Sequence, residues 1–195
     1  MIVLGLTGPT GAGKTTVLNM LREQDALVLD CDKIYYELLS TNENLRKDLV
    51  KNFGDVFLPD GSLDRQKLGT LVFGDEKALQ KLNTIIYYYM GVDVRRRLTE
   101  AKAQGVKVAV IDAINLIQSG LGELCAMTVA VTASEEVRLS RIMARDGISR
   151  EYALSRILAQ EGEDYFARHC HAVLQNNGTE EELKEKTISL LKEFM

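Results

Sequence analysis

The residues with the clearest chemical potential lie near the start of the chain, between Gly8 and Thr15. Their sequence, GPTGAGKT, fits the pattern G-x-x-x-x-G-K-[ST] and stands between a short apolar run and a helix-like stretch. The glycines let the backbone curl around an anion, and the positive end of the following helix favours negative charge. In such a loop Lys14 reaches the β- and γ-phosphates of a nucleotide, and the Thr15 hydroxyl binds Mg²⁺. The segment therefore predicts a nucleoside triphosphate site.

The whole loop is expected to contribute to this site. The predicted nucleotide-binding residues are Gly8, Thr10, Gly11, Ala12, Gly13, Lys14, Thr15 and Thr16. The glycine spacing does not match G-x-G-x-x-G, which disfavours a dinucleotide-binding turn. The chain also has no N-K-x-D motif, which weakens a GTPase interpretation. The loop thus favours an enzyme that uses ATP.

Carboxylates that follow two apolar runs are candidates for proton and metal chemistry. Asp30 and Asp32 follow the run ALVL and share a side if that strand continues, so one could accept a hydroxyl proton while the other supports Mg²⁺. The alternative is that Asp32 caps a helix beginning at Lys33. Asp112 follows VAVI, a pattern by which many P-loop enzymes hold Mg²⁺. The predicted metal ligands are therefore Thr15, Asp30 and Asp112.

Arginines near residue 140 could neutralise a transferring phosphoryl group. Arg138, Arg141 and Arg145 are spaced by three and four residues, which places them on one face of a helix. Such a face could close over ATP and exclude water, although a solvated charged face is the alternative. The run from Arg95 to Arg97 points in three directions around a helix and is expected to be mostly solvated surface.

Apolar runs and amphipathic stretches alternate along the chain. Strands are predicted at Ile2–Leu6, Ala26–Leu29, Val106–Ile111, Met127–Val131 and Ala172–Leu174. Helices are predicted at Lys14–Gln24, Lys33–Asn52, Asp64–Phe73, Glu76–Gln104, Ser134–Asp146, Arg150–Gly162 and Glu180–Phe194. This alternation predicts an α/β fold with a parallel sheet covered by helices on both faces. The long interval between the second and third strands predicts a helical substrate-binding insertion, about residues 33–104.

Composition narrows the remaining possibilities. The net charge of −4 makes nucleic acid a poor default partner, and no stretch is long and apolar enough to predict a membrane span. Three cysteines without CxxC spacing argue against a disulfide framework or a zinc site. We therefore expect one cytoplasmic domain, residues 1–195, that binds small molecules.

Taken together, these segments resemble the dephospho-CoA kinase family from Ile2 to about Gly178. GPTGAGKT resembles the family's GGIGSGKS/T, and DCD at Asp30 to Asp32 resembles its DAD, whose second Asp is the proposed base. DGSLDRQKLGTLVF, which begins at Asp60, resembles the DG-x-L-x-R-x-x-L stretch of the family's helical CoA-binding part. This resemblance maps the base onto Asp32.

Two later segments extend the resemblance. RIMARDGISREYALSRILAQ, which begins at Arg141, resembles the family's lid, here about residues 138–162, and QNNG resembles its NNG segment beside the adenine site. By this match Arg141 and Arg145 are lid arginines that also meet the nucleotide, and Asn177 lies near the adenine. The catalytic set implied is Lys14, Asp32, Arg141 and Arg145.

The resemblance implies a P-loop NTPase three-layer sandwich with a helical CoA-binding insertion and a helical lid. It also implies transfer of the ATP γ-phosphoryl group to the ribose 3′-hydroxyl of dephospho-CoA, the last step of coenzyme A biosynthesis, with Mg²⁺ as cofactor. The implied partners are the small molecules ATP and dephospho-CoA.

The acceptor side departs from the family pattern. Tyr87 and Tyr88 stand where the family has the His and Pro of L-N-x-x-x-H-P, and Ile114 to Gln118 replaces PLLFE. These changes leave two alternatives open, a paralogue that phosphorylates another nucleotide or nucleoside-like alcohol and a regulatory ATP-binding protein without transfer activity.

Overall fold

A computed structural model describes residues 1–194, which contain a five-stranded sheet. The strands are β1 (Ile2–Thr7), β2 (Leu27–Asp30), β3 (Val108–Asp112), β4 (Met127–Thr132) and β5 (Ala172–Gln175). Their order is β2-β3-β1-β4-β5, and β1 pairs in parallel with β3 and β4, as does β4 with β5. Each strand overlaps one of the apolar runs, so the predicted sheet is confirmed.

Helices occupy most of the intervals between the strands. They are α1 (Lys14–Arg22), α2 (Cys31–Thr41), α3 (Glu43–Phe53), α4 (Arg65–Val72), α5 (Glu76–Ala103), α6 (Glu135–Asp146), α7 (Arg150–Leu158), α8 (Glu163–His169) and α9 (Glu180–Phe194), with a 3₁₀ helix at Leu121–Leu124. Thr179 and Glu182 have the spacing of a capping box before α9, and the Thr179 hydroxyl accepts a hydrogen bond from the Glu182 amide (3.2 Å).

Contacts divide the chain into two compact units, residues 1–28 with those from 104 onwards, and Leu29–Ala103. In the first unit, Leu4 and Leu6 of β1 pack with Leu18 of α1 and Leu183 of α9 in a buried core. The opposite face of the sheet meets the 3₁₀ helix and α8. Helices thus cover the sheet on both sides, which confirms the predicted three-layer α/β fold.

The second unit is helical. Helix α5 packs against α2, α3 and α4, and the packing buries Leu45, Leu49 and Val94 completely or almost completely. Its extent is close to that of the predicted insertion. No helix among residues 1–194, including the 28-residue α5, is long and apolar enough to span a membrane.

Two predicted helices differ from the structure by a break or by more than two residues at an end. The helix predicted over Lys33–Asn52 is interrupted at Asn42, whose side chain caps α3 by accepting from the Leu45 amide (2.9 Å). The cap competes with continuation of the helix. The helix predicted to run to Gly162 ends at Leu158, and α8 was not predicted.

Candidate active site

The phosphate loop, Gly8 to Thr15, leads from β1 to the N-terminus of α1. Gly8 and Gly13 have φ angles of 136° and 97°, which L side chains rarely adopt. A side chain at Gly8 would collide with the Val131 carbonyl oxygen, and one at Gly13 with the side-chain amide of Asn176. The loop borders a cavity of about 260 Å³ beside the positive end of α1. Backbone shape and helix dipole together suit a bound anion.

Lys14 and Asp112 form an ion pair beside this cavity. Both are largely buried, with side-chain exposures of 18% and 12%. Asp112 is the last residue of β3 and pairs in register with Leu6 of β1, so the parallel strands bring it to the edge where the loop begins. The pattern VAVI-Asp112 indicates a metal ligand, and nothing local in the sequence indicates its contact with Lys14. A carboxylate here can hold the ammonium in place for anion binding.

Two arginines of α6 line the same cavity. Arg141 donates to the Asn176 carbonyl oxygen (3.1 Å) and makes a longer contact to that of Gly11 (3.5 Å). Arg145 pairs with Asp146 through Nε (2.7 Å), and its Nη2 lies 3.5 Å from the Thr10 hydroxyl. The prediction that these arginines share one face is confirmed, and that face meets the phosphate loop.

Arg138 also contacts the loop but is buried, with 7% exposure. Its Nε donates to the Thr10 carbonyl oxygen (2.9 Å), and its Nη2 donates to Oε1 of Gln160 (3.0 Å). The same Oε1 accepts from the Thr10 amide (3.0 Å). Arg138 therefore stabilises the backbone of the phosphate loop. The alternative that these arginines form a solvated charged face is wrong for Arg138. Sequence reasoning missed Gln160, whose only signal was its place at the end of the lid-like segment.

The two asparagines after β5 have different environments. Asn176 is 6% exposed and donates from Nδ2 to the Ala12 carbonyl oxygen (2.9 Å). Asn177 is exposed, and its Oδ1 accepts from the Ser134 amide at the start of α6 (2.7 Å). The sequence singled out Asn177, whereas Asn176 touches the phosphate loop. Only the pair as a whole could have been located from the sequence.

Asp30 and Asp32 occupy the start of α2 in the helical unit. Asp30 caps the helix by accepting from the Lys33 amide (3.1 Å), and β2 ends at this residue. Asp32 lies in the first helical turn and is exposed. The alternative in which Asp32 caps the helix is wrong, and because β2 ends at Asp30 the two residues do not share the side of a continuing strand. The carboxylate of Asp32 is accessible for chemistry, while that of Asp30 already serves a structural bond.

The residues that depart from the family pattern lie on α5 and near the phosphate loop. Tyr87 is half-buried, and Tyr88 is 65% exposed with its ring edge-to-face with Tyr89. Gln118 and Asn115 line a cavity of about 410 Å³ together with Pro9 of the loop. Both are neutral amides, which suit polar, uncharged groups of a ligand.

The arginine run of α5 is mostly exposed, as predicted, and two of its arginines form ion pairs. Arg97 is 29% exposed and forms ion pairs with Asp93 and with Glu37 of α2, while Arg96 pairs with Asp93 (2.6 Å) and Glu100 (2.7 Å). These pairs lower the pKa of Asp93, against the effect of its burial. Arg95 and Arg96 are exposed, as expected for most of the run, while the half-buried Arg97 links two helices.

Comparison with known proteins agrees with this site. The family model described as dephospho-CoA kinase matches residues 2–182. The dephospho-CoA kinase of Geobacter sulfurreducens is 35% identical over 187 residues, covering 95% of this chain and 95% of that protein. The TT1252 structure from Thermus thermophilus matches with a TM-score of 0.77 and 31% identity, over 100% of this chain and 98% of that one.

A dephospho-CoA kinase structure from Campylobacter jejuni, at 18% identity, shares the fold with a TM-score of 0.60 over 98% of this chain and 96% of that one. The family model and the closer relatives span nearly the whole chain, including the loop, the α6 arginines and the asparagines after β5. On that evidence, this protein belongs to the dephospho-CoA kinase family.

Proposed function

We propose that this protein transfers the γ-phosphoryl group of ATP to the ribose 3′-hydroxyl of dephospho-CoA, forming coenzyme A and ADP. The observation that carries the proposal is family membership along nearly the whole chain, including every loop residue needed to bind triphosphate. This reaction is the last step of coenzyme A biosynthesis.

Phosphoryl transfer depends on positioning and charge neutralisation more than on covalent chemistry. In our proposal the loop from Gly8 to Thr16 holds the phosphates, with Lys14 on the β- and γ-phosphates. Arg141 and Arg145, which line the loop cavity, neutralise charge on the transferring group. Asn177 is proposed to lie near the adenine, while Asn176 fixes the loop through its bond to Ala12.

Asp32 is proposed as the base that accepts or orients the proton of the acceptor hydroxyl. Its match to the second Asp of the family's DAD segment and its exposed carboxylate support this role. The cap formed by Asp30 fixes the start of α2 and hence the backbone of Asp32. We propose that the helical unit, Leu29–Ala103, carries the acceptor-binding surface and that residues 138–162 form the lid.

Mg²⁺ is proposed as the cofactor that would neutralise phosphate charge during transfer. Within residues 1–194 no three His, Cys, Asp or Glu side chains gather as a metal cage. Mg²⁺ in kinases commonly takes one or two protein ligands together with waters and substrate phosphates, so a hydroxyl and one carboxylate fit it. We propose Thr15 and Asp112 as that pair, with Asp112 Oδ1 on Lys14 and its second carboxylate oxygen for the metal. Asp30 fits less well because its carboxylate caps α2.

We also propose that the protein works in the cytoplasm. No disulfide joins Cys31, Cys125 or Cys170 in the described part of the chain, as is usual in a reducing compartment.

The proposal is tested by coupled ADP release from Mg-ATP with dephospho-CoA, adenosine, AMP or no acceptor. We expect rapid turnover with dephospho-CoA alone. Turnover with another acceptor would identify a paralogue, and ATP binding without turnover on any acceptor would identify a regulatory protein. Omitting Mg²⁺ from the dephospho-CoA reaction tests the metal separately, with loss of turnover expected.

A further inference from the structure

Arg138 holds an unusual position for a charged side chain. Only 7% of its surface is exposed to solvent. It contacts the backbone of the phosphate loop but does not line the loop cavity. Its hydrogen-bond acceptors are neutral, the carbonyl oxygen of Thr10 and the amide oxygen of Gln160. Among the described residues it forms no ion pair with a carboxylate. A nearly buried cation therefore lies behind the loop without a counter-charge in contact.

An arginine keeps its charge even when burial disfavours it. Burial lowers the pKa of Arg138, while the charge of Glu135 acts in the opposite direction from farther away. A charge removed from water and left unpaired lowers the stability of the fold, and it acts strongly on other charges because the protein interior screens weakly. The nearest binding site for several negative charges is the phosphate loop itself.

Gln160 keeps this charge uncompensated while fixing its position. Its Oε1 accepts both from the Thr10 amide and from Arg138, so Gln160 binds the backbone N–H of Thr10 while Arg138 binds its backbone carbonyl. A glutamate at 160 could accept the same bonds and would also neutralise the cation. The neutral amide satisfies the geometry without cancelling the charge.

We propose that Arg138, held by Gln160, is a positioning residue whose buried charge strengthens polyphosphate binding through the loop without touching the ligand. The negative charge of the bound polyphosphate then compensates the positive charge of Arg138. This inference rests on the proposed function, because it requires that the loop bind ATP.

The first test is Gln160→Glu, with inorganic triphosphate and ATP as ligands in titration calorimetry. The variant retains both hydrogen bonds and pairs the charge. We expect the Kd for both ligands to rise about tenfold, the effect of one nearby unit charge in a weakly screened site. We expect the melting temperature of the ligand-free protein to rise by about 2–4 °C. If Gln160 were only a structural support, its substitution would lower both ligand affinity and melting temperature. Weaker ligand binding together with a higher melting temperature therefore identifies the effect of the charge.

The second test separates charge from hydrogen-bond geometry at position 138. Arg138→Lys keeps the positive charge but loses the paired hydrogen bonds to Thr10 and Gln160, whereas Arg138→Gln loses the charge. We expect the lysine variant to bind triphosphate within about threefold of wild type and the glutamine variant about tenfold more weakly. Arg22→Gln is the control because it removes an exposed cation, bonded to Asn19, at the end of α1 that lies away from the phosphate loop and outside the proposed lid. We expect it to leave the Kd unchanged.

Equal losses in the lysine and glutamine variants would overturn the inference, as would unchanged triphosphate binding in Gln160→Glu. Neither result would contradict the proposed function, because ATP binding by the wild-type protein is measured separately in the same series. Failure of the wild-type protein to bind ATP would overturn both.

Discussion

In the first unit, hydrogen bonds between distant parts of the chain fix the phosphate loop, whereas the candidate acceptor-side residues of the helical unit are fixed locally or exposed. Asn176 reaches Ala12 and Arg138 reaches Thr10 across more than a hundred intervening residues. Asp30, by contrast, bonds the amide three residues on, and Asp32 and Tyr88 are exposed. The nucleotide side is preorganised, and the acceptor side is held less tightly.

This difference has an energetic consequence. A buried polar group that loses its partner costs about 1–3 kcal/mol, whereas an exposed one is solvated by water. Substitutions around the loop should therefore change binding and stability together. Substitutions on the acceptor side should change turnover with little effect on the fold.

Lys14→Ala should cause the largest loss. It removes the cation that is proposed to meet the transferred phosphate and that pairs with Asp112, so the site loses one positive charge. We expect kcat/KM for dephospho-CoA phosphorylation to fall at least about a thousandfold. The measurement is coupled ADP release, with the exposed Lys107→Ala as control. Retention of more than about a tenth of wild-type activity would contradict the role of Lys14.

Asp32→Asn should affect turnover and spare ATP binding. The amide cannot accept the acceptor proton, so we expect kcat to fall about 10²–10⁴-fold with an unchanged Kd for ATP. Asp30→Asn is the matched control, since asparagine caps helices as well as aspartate and preserves α2. We expect the control to keep most of its activity. Near-normal turnover by Asp32→Asn would falsify the base assignment.

Asn176→Ala should have a smaller effect that appears in both binding and stability. It leaves the Ala12 carbonyl oxygen without its buried donor, at a cost of about 1–3 kcal/mol. We expect a lower melting temperature and a Kd for ATP raised by about tenfold. Asn177→Ala removes an exposed bond to Ser134 and should lower stability less. If the two variants lost equal stability, the contrast drawn between them would be wrong.

Local patterns predicted the features of the first unit that depend on neighbouring residues. The motif from Gly8 to Thr15 and the five apolar runs define the loop and the sheet, because strand, glycine turn and helix start are local in sequence. The spacing of Arg141 and Arg145 likewise fixed their common face.

Tertiary contacts decided the features that the sequence did not reveal. Nothing in the local sequence distinguishes Asn176 from Asn177. They differ because Asn176 is buried against the phosphate loop, which is a tertiary contact. Gln160 and Asp112 meet the loop across distant chain segments. The break at Asn42 depended on a side-chain cap that competes with an otherwise continuous helical pattern.

Tyr87→His should have the smallest effect, and it examines the acceptor side directly. The family has a histidine at the corresponding place, while the half-buried tyrosine of this chain supplies a ring that can stack on, or hydrogen-bond to, an adenosine moiety. If dephospho-CoA is the native acceptor, this ring is already suited to it. We therefore expect kcat/KM for dephospho-CoA to change by less than about threefold. Coupled ADP release gives the measurement, with Tyr88→His as the exposed control one residue away.

A large gain in dephospho-CoA turnover from Tyr87→His, absent from Tyr88→His, would contradict the expectation. It would mean that the tyrosine disfavours dephospho-CoA and that the native acceptor is a different alcohol. The loop contacts lie in the other unit and would be unchanged, so ATP affinity should stay constant in either case. A small effect at Tyr87 beside large effects at Lys14 and Asn176 is the pattern expected when one substrate site is preorganised and the other tolerates substitution.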